Sequence, residues 1–251
     1  MPPAFPGPPA AAALRGKGAL VTGTSSGIGA ETARALASMG MRVTLMARRA
    51  DRLDDLAKDL PADAAFTYPG DITDHAFADG LMARVPADLG SLDVVVNNAG
   101  MLTSAPFDEI DIDKACAMVR LNVEAAYRIT FLALRRFKAQ GHGHLVNVSS
   151  VLGTKVRANY GAYAGTKFAI EALSEGLRME LAGTRIRLTV IEPGLVMTEL
   201  HDEFPEHPSQ TQRMEKALEP ADIARAIVYA LAQPAHVNIA RLMALPSDQP
   251  T

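Results

Sequence analysis

Short, unbroken apolar runs return along this chain, each separated from the next by a stretch with helical spacing. "GALVTGT" at 18–24 is the first, and the helical pattern after it runs through Met39 to a stop at Gly40. "MRVTLMAR" follows, then "DRLDDLAKDL", which reads as a helix capped by Asp51 and ended by Pro61. "AAFTYPG" is a weaker strand; Asp71 comes after it, and Thr73 is placed to cap a helix reaching Val85. "LDVVVNNAG" is apolar with a polar end and precedes a long helical region from about Asp111 to Lys138. "GHGHLVNVSS" reads as a strand, "YGAYAGTKFAIEALSEGLRMELA" as a helix and "IRLTVIEPG" as a strand. A polar stretch at 198–218 leads to "PADIARAIVYALA", a helix with proline near its first turn, and to the closing strand "VNIARLMAL".

Strands thus alternate with helices, and the strands are continuous apolar runs rather than alternating ones. That pattern belongs to a mostly parallel sheet buried on both faces by helices. Right-handed crossovers make it an α/β doubly wound sheet, with ligands expected at the carboxyl ends of its strands. No internal repeat or interior linker divides it, so residues 16–251 are expected to form one domain. The first nine residues hold five prolines and no basic region, which does not resemble a secretory signal. Residues 1–15 are read as a mobile tail.

Composition narrows the picture. Of the 251 residues, 48% are hydrophobic and 21% charged, enough apolar surface for a sizeable core. A net charge of -3 and the absence of a basic run with interleaved aromatics argue against nucleic acid as a partner. Arg135, Arg136 and Lys138 suit a solvated helix end. No apolar stretch approaches the ~20 residues needed to cross a bilayer, so no membrane role is expected. The single cysteine, Cys116, cannot form an internal disulfide, which fits a reducing cytoplasm. Its place in an apolar helical pattern predicts a buried thiol.

"TGTSSGIG" at 22–29 stands where the first strand meets the first helix. Gly23, Gly27 and Gly29 let the backbone turn sharply and let a diphosphate approach, and free amides around Ser25, Ser26 and Ile28 would receive it. Where an NAD site would place an acidic side chain, this chain has Arg48 and Arg49, whose guanidinium groups suit a 2'-phosphate. NADP(H) is therefore the expected cofactor, although Arg49 alone also reads as a solvated surface charge. Asp71, with Ile72, is placed to meet the adenine, and an aspartate there is equally a common cap. Asn98, Ala99 and Gly100 would let the cofactor lie close to a strand end, or simply form a turn.

Tyr163 and Lys167 lie four residues apart, on one helix face, with small residues between them. A cation one turn along favours phenolate, which predicts a Tyr163 pKa lowered by Lys167. Such a phenol is a general acid for carbonyl reduction and a base for the reverse. His201 and His207 span Pro205 with no compact ligand spacing, and His142 and His144 flank a glycine turn, so no metal site is expected.

The glycine pattern, "NNAG" at 97–100, Asn122, Ser150, Tyr163 with Lys167, and the turn at Pro193 and Gly194 stand in a characteristic order. In this the chain closely resembles the short-chain dehydrogenase/reductase family, from about Lys17 to at least Thr198. The resemblance implies a Rossmann-type fold and an NADP-preferring oxidoreductase acting on a small-molecule carbonyl or alcohol. It selects Ser150 over Ser149, thirteen residues before Tyr163, to orient the substrate oxygen. It also implies that Lys167 holds the nicotinamide ribose, that Asn122 supports a proton relay, and that Val196 and Thr198 meet the cofactor. Tyr160 and Leu152 would border the substrate, and residues 198–218 would form a variable substrate lid. Homotetramers or homodimers would form through the long helices, where Ala162, Ala169 and Ala172 permit close packing. Two rivals are a non-catalytic NADP(H)-binding redox sensor, which has no need of Ser150, Tyr163 and Lys167 together, and an epimerase or dehydratase on a related fold.

Overall fold

The computed structural model describes residues 10–202, 204, 208–211 and 214–249. In chain order the elements are α1 (Ala10–Leu14), β1 (Gly18–Thr22), α2 (Gly27–Ser38), β2 (Arg42–Ala47), α3 (Ala50–Lys58), β3 (Ala65–Pro69), α4 (His75–Leu89) and β4 (Val94–Asn97). There follow α5 (Ile112–Val119), a π-helical segment (Arg120–Ala125), α6 (Ala126–Gln140), β5 (Gly143–Val148), α7 (Gly161–Glu180), β6 (Ile186–Pro193), α8 (Pro208–Thr211), α9 (Pro220–Leu231) and β7 (Arg241–Ala244).

Among the described residues the seven strands are all parallel, in the order β3-β2-β1-β4-β5-β6-β7. The reversal lies at β1, where Val21 is opposite Leu45 on one side and Val96 on the other. β1 is buried at all five positions, as its unbroken apolar run requires. One face of the sheet packs on α2, α3 and α9 through Leu36, Leu53 and Ile227. The other packs on α4, α6 and α7 through Leu81, Phe137 and Leu177. Burying apolar surface on both sheet faces is the main stabilising term, and it fixes the carboxyl ends of β1, β4, β5 and β6 at one edge.

Several local expectations are corrected. Residues 1–15 are not all tail: Ala10–Leu14 is helical, and Leu14 is buried in the core with α2 and α9. Asp51 does not cap α3; Arg49 stands at that position, and Asp51 lies in the first turn, where its charge favours the helix dipole. Asp74, not Thr73, caps α4, accepting from the amides of Ala76 and Phe77. α4 continues through the buried Pro86 and ends at Gly90 in the left-handed region. Cys116 is exposed, because α5 turns only Met118 fully inward and leaves Ile112 73% exposed. His207 lies outside the described residues.

Candidate active site

β1 hands the chain to α2 through a loop that only glycine can build at two points. Gly23 has φ 74°, and a Cβ there would lie 2.9 Å from the Ala99 Cα. A Cβ on Gly29 would lie 2.2 Å from the Gly23 carbonyl oxygen. Gly27 is covered by Thr198, whose Cγ2 lies 3.1 Å from where a Cβ would stand. The loop is braced by Asn98, whose amide donates to the carbonyls of Thr22 at 3.0 Å and Gly23 at 3.4 Å. The Thr22 hydroxyl accepts from the backbone of Asn98 and Ala99, both at 3.0 Å. The β4 end thus holds the loop in shape. Gly100 follows, with the Asn122 Oδ1 3.3 Å from where a Cβ would stand.

On the β2 side, Arg48 and Arg49 are exposed beside this loop. Arg49 Nη2 donates to Ser25 Oγ at 2.8 Å and Ser26 Oγ at 3.2 Å. It also pairs with Glu199 at 2.8 Å. Asp71 accepts from the Thr73 amide at 2.9 Å and hydroxyl at 2.7 Å. Burial opposes its charge, but those bonds and nearby Arg48 hold its carboxyl below the usual range. Ile72 and Val196 turn their side chains into the two cores, so only their backbones lie along the edge.

The second half of the site is built by β5 and α7. Ser150 follows β5 with an extended backbone, and its Oγ accepts from the Leu152 amide at 3.1 Å. It also shares a hydrogen bond with the Tyr163 phenol. Neighbouring Ser149 is buried, and its Oγ has no hydrogen-bond partner. Lys167 is buried one turn past Tyr163; its Nζ donates to the Val148 carbonyl at 3.0 Å and lies 5.7 Å from the tyrosine ring centroid.

The expected electrostatics of this pair are corrected. Burial pushes the Tyr163 phenol up to about 12, with the Ser150 bond as the opposing effect. Lys167 does not hold it below its ordinary value. The reason is that Lys167 is itself desolvated: burial lowers it to about 8, and Glu171 pulls it partly back.

Asn122 lies in the π-helical segment, a local widening that often marks functional positions. Its Oδ1 accepts from the Met101 amide at 2.9 Å, and its Nδ2 donates to the Met101 carbonyl at 2.8 Å and Thr166 Oγ1 at 3.2 Å. Its side chain therefore clamps the β4 loop to α7 rather than reaching Lys167. An apolar cluster surrounds Tyr163: Leu102, Met118, Val151 and Leu152, with Tyr160, Leu200 and Phe204 against it. Tyr160 stacks on Phe204 with ring centroids 6.4 Å apart. Pro193 and Gly194 end β6, and Gly194 donates to Ala244 at 2.7 Å.

Three carboxylates escaped the sequence reading. Glu171 and Glu192 are buried behind the site, on α7 and β6, with Arg241 Nε at 3.4 Å and 3.8 Å. Glu171 follows Lys167 at i+4, a spacing visible in the sequence, but its burial beside β7 is not. Glu199 immediately follows Thr198 and folds back onto the loop. Among the described residues there is no group of three or more His, Cys, Asp or Glu side chains arranged to hold a metal ion. His144 is buried against Thr189 at 2.8 Å, and His142 faces Asp93. No helix among the described residues is long and apolar enough to cross a membrane.

Comparison with known proteins identifies the family and the fold. A family model described as short chain dehydrogenase matches residues 17–209. An uncharacterized oxidoreductase of Staphylococcus haemolyticus is 39% identical over 230 residues, covering 90% of this chain and 95% of its own. The closed form of a serine dehydrogenase complexed with NADP+ superimposes with a TM-score of 0.87 at 31% identity, covering 93% of this chain and 96% of that one. An alcohol dehydrogenase from the archaeon Thermococcus sibiricus, complexed with 5-hydroxy-NADP, gives 0.84 at 29%, covering 94% and 98%.

Proposed function

Because the chain belongs to the short-chain dehydrogenase family, we propose that it is an NADP(H)-dependent oxidoreductase acting on a carbonyl or alcohol group of a small molecule. The observation that carries this reading is the convergence of Ser150, Tyr163 and Lys167 at the edge that also carries the glycine loop.

The loop fits a dinucleotide. A Cβ on Gly29 would lie 2.2 Å from the Gly23 carbonyl oxygen, so glycine there lets the loop pack tightly against the start of α2, which supports a dinucleotide-binding turn. Ser25, Ser26 and Arg49 form a donor set for a 2'-phosphate, with Arg48 beside it, and Asp71 faces the adenine end. Gly23, Gly27, Ile28, Ala99, Gly100, Pro193, Gly194, Val196 and Thr198 would line the remainder, largely by backbone. The bound nicotinamide supplies or accepts the hydride. The relatives solved with NADP-type nucleotides support the choice of cofactor.

This chain's own residues handle the proton. Ser150 holds the substrate oxygen and stabilises charge that develops on it. Tyr163, near 12, stays protonated across neutral pH and so is poised to donate when a carbonyl becomes an alkoxide. The site therefore favours reduction at neutral pH. Alcohol oxidation requires the phenolate and gains as pH rises. Lys167 stands over the ring to recharge it and would hold the nicotinamide ribose. Asn122 supports the relay by fixing Thr166, the neighbour of Lys167 on α7, to Met101 of the loop after β4. Leu152, Tyr160, Leu200 and Phe204 give the substrate an apolar wall.

Exposed Ile112 and Val119 on α5, with Phe168 and Met179 on α7, support a homodimer or homotetramer through these helices. Ala162 and Ala172 are exposed on the same α7, where Ala169 is half-buried. The lone Cys116 supports a cytoplasmic setting. The test is nicotinamide absorbance on mixing the protein with NADPH or NADH and a carbonyl panel. NADPH consumption on at least one ketone or aldehyde, faster than with NADH, is expected. No consumption of either nucleotide across a broad panel would count against the enzyme and for a sensor.

A further inference from the structure

Arg49 is held by three partners at once: Ser25 Oγ at 2.8 Å, Ser26 Oγ at 3.2 Å and Glu199 Oε2 at 2.8 Å. Glu199 is gripped in turn by Arg52 at 3.3 Å and by the Ser26 hydroxyl. A carboxylate from a distant part of the chain thus sits on Arg49 and Ser26, two of the groups that would receive a 2'-phosphate. Glu199 opens a short helical turn, Glu199–His201, directly after Thr198, which covers Gly27. The next residues of that segment, Leu200 and Phe204, pack into the apolar cluster around Tyr163.

We propose that Glu199 is an internal competitor of the nucleotide's 2'-phosphate: it occupies the Ser25–Ser26–Arg49 cradle in the free protein and is displaced from it by NADP(H) but not by NAD(H). This rests on the assignment of that cradle to an NADP site. A dianionic phosphate brings more charge and more acceptor oxygens than a carboxylate and wins the exchange. NAD(H) has only a ribose hydroxyl there and gives Arg49 no reason to release its partner. The exchange therefore weakens NADP(H) binding by what the Glu199 contacts contribute, and it unfastens the start of the segment that walls the substrate. Arg49 and Glu199 are both partly exposed, at 43% and 38% of their side chains, so the contacts are screened and the effect is moderate.

The chemistry predicts a specific change in Glu199→Gln, which keeps the shape and removes the charge. Calorimetric titration of the full chain with NADP+ and with NAD+ measures it. Glu199→Gln should bind NADP+ about three- to tenfold more tightly than wild type, with NAD+ changed less than about twofold. Glu199→Ala should move NADP+ in the same direction, so the outcome does not hang on one replacement. Unchanged or weaker NADP+ binding in both variants overturns the proposal, as does equal tightening of NAD+. If wild type binds neither nucleotide, the cofactor assignment fails, and this inference fails with it. If wild type binds NADP+ and the variants match it, only the role of Glu199 fails.

Discussion

Replacing Glu171 by glutamine should shift the pH range of the proposed carbonyl reduction. Glu171 and Lys167 are a buried i,i+4 pair on α7. Around them lie Glu175 and Arg178 on α7, Glu192 on β6 and Arg241 on β7. Three carboxylates and three cations meet there, and the count closes only while Lys167 keeps its proton. Side chains at this spacing have Cβ atoms about 5–6 Å apart, and at an effective dielectric of about 20 their attraction is about 3 kcal/mol, or about two pKa units. Arg241 already engages Glu171 at 3.4 Å, so about half of that is assigned to Lys167. Lys167 would then fall from about 8 to about 7. In the proposed mechanism loss of the ammonium ends the relay to Tyr163, so the alkaline limb of kcat for reduction should follow Lys167. The variant should match wild type near pH 6, be about threefold slower at pH 7.5 and nearly tenfold slower at pH 9. Steady-state rates with saturating NADPH across that range are the assay. A uniform loss at every pH, with the limb unmoved, would show that Glu171 only supports the fold and would refute the reasoning.

Two further outcomes follow from the same geometry. Lys167→Met should abolish turnover yet stabilise the chain, because burial holds Lys167 at about 8 against an ordinary 10.5. That gap is worth about 3 kcal/mol, reduced to about 1 by the Val148 carbonyl left without its donor. The sign is set by linkage: below pH 8 both folded and unfolded lysine are protonated and the full cost of the buried charge applies. As pH rises from 8 toward 10.5 the folded state sheds its proton first, wild type gains relative stability and the advantage of methionine fades, which thermal melts at pH 7 and 10 would show. Gly29→Ala places a methyl 2.2 Å from the Gly23 carbonyl, so the loop must open; NADP+ affinity should fall by about tenfold or more in calorimetry, with a lowered Tm.

The sheet was legible because strands buried on both faces are written as continuous apolar runs, as in β1, β4 and β5. The glycine loop was legible because backbone constraints act locally: the residues that need φ near 74° or close approach have no substitute. What depended on distant contacts was not. Leu14 follows a proline-rich start, and only its burial beside α2 and α9 reveals that the helix before it belongs to the fold. Cys116 and Ile112 look apolar and interior in sequence, but α5 faces outward. Asp74 and Thr73 are adjacent and chemically able to cap, so sequence could not choose between them. The Tyr163–Lys167 spacing was readable, but the direction of each pKa depends on burial that only three-dimensional packing sets. Glu171, Glu192 and Arg241 come together from α7, β6 and β7, and no sequence window contains all three.

The central claim is that Tyr163 delivers the proton while the rest of the edge holds the nucleotide. Removing only its hydroxyl, as Tyr163→Phe, and measuring both NADPH affinity and kcat for carbonyl reduction tests that claim most directly. The account predicts a Kd within about threefold of wild type and a kcat lower by about 10²–10⁴. A variant that turns over at the wild-type rate with its nucleotide still bound would contradict it.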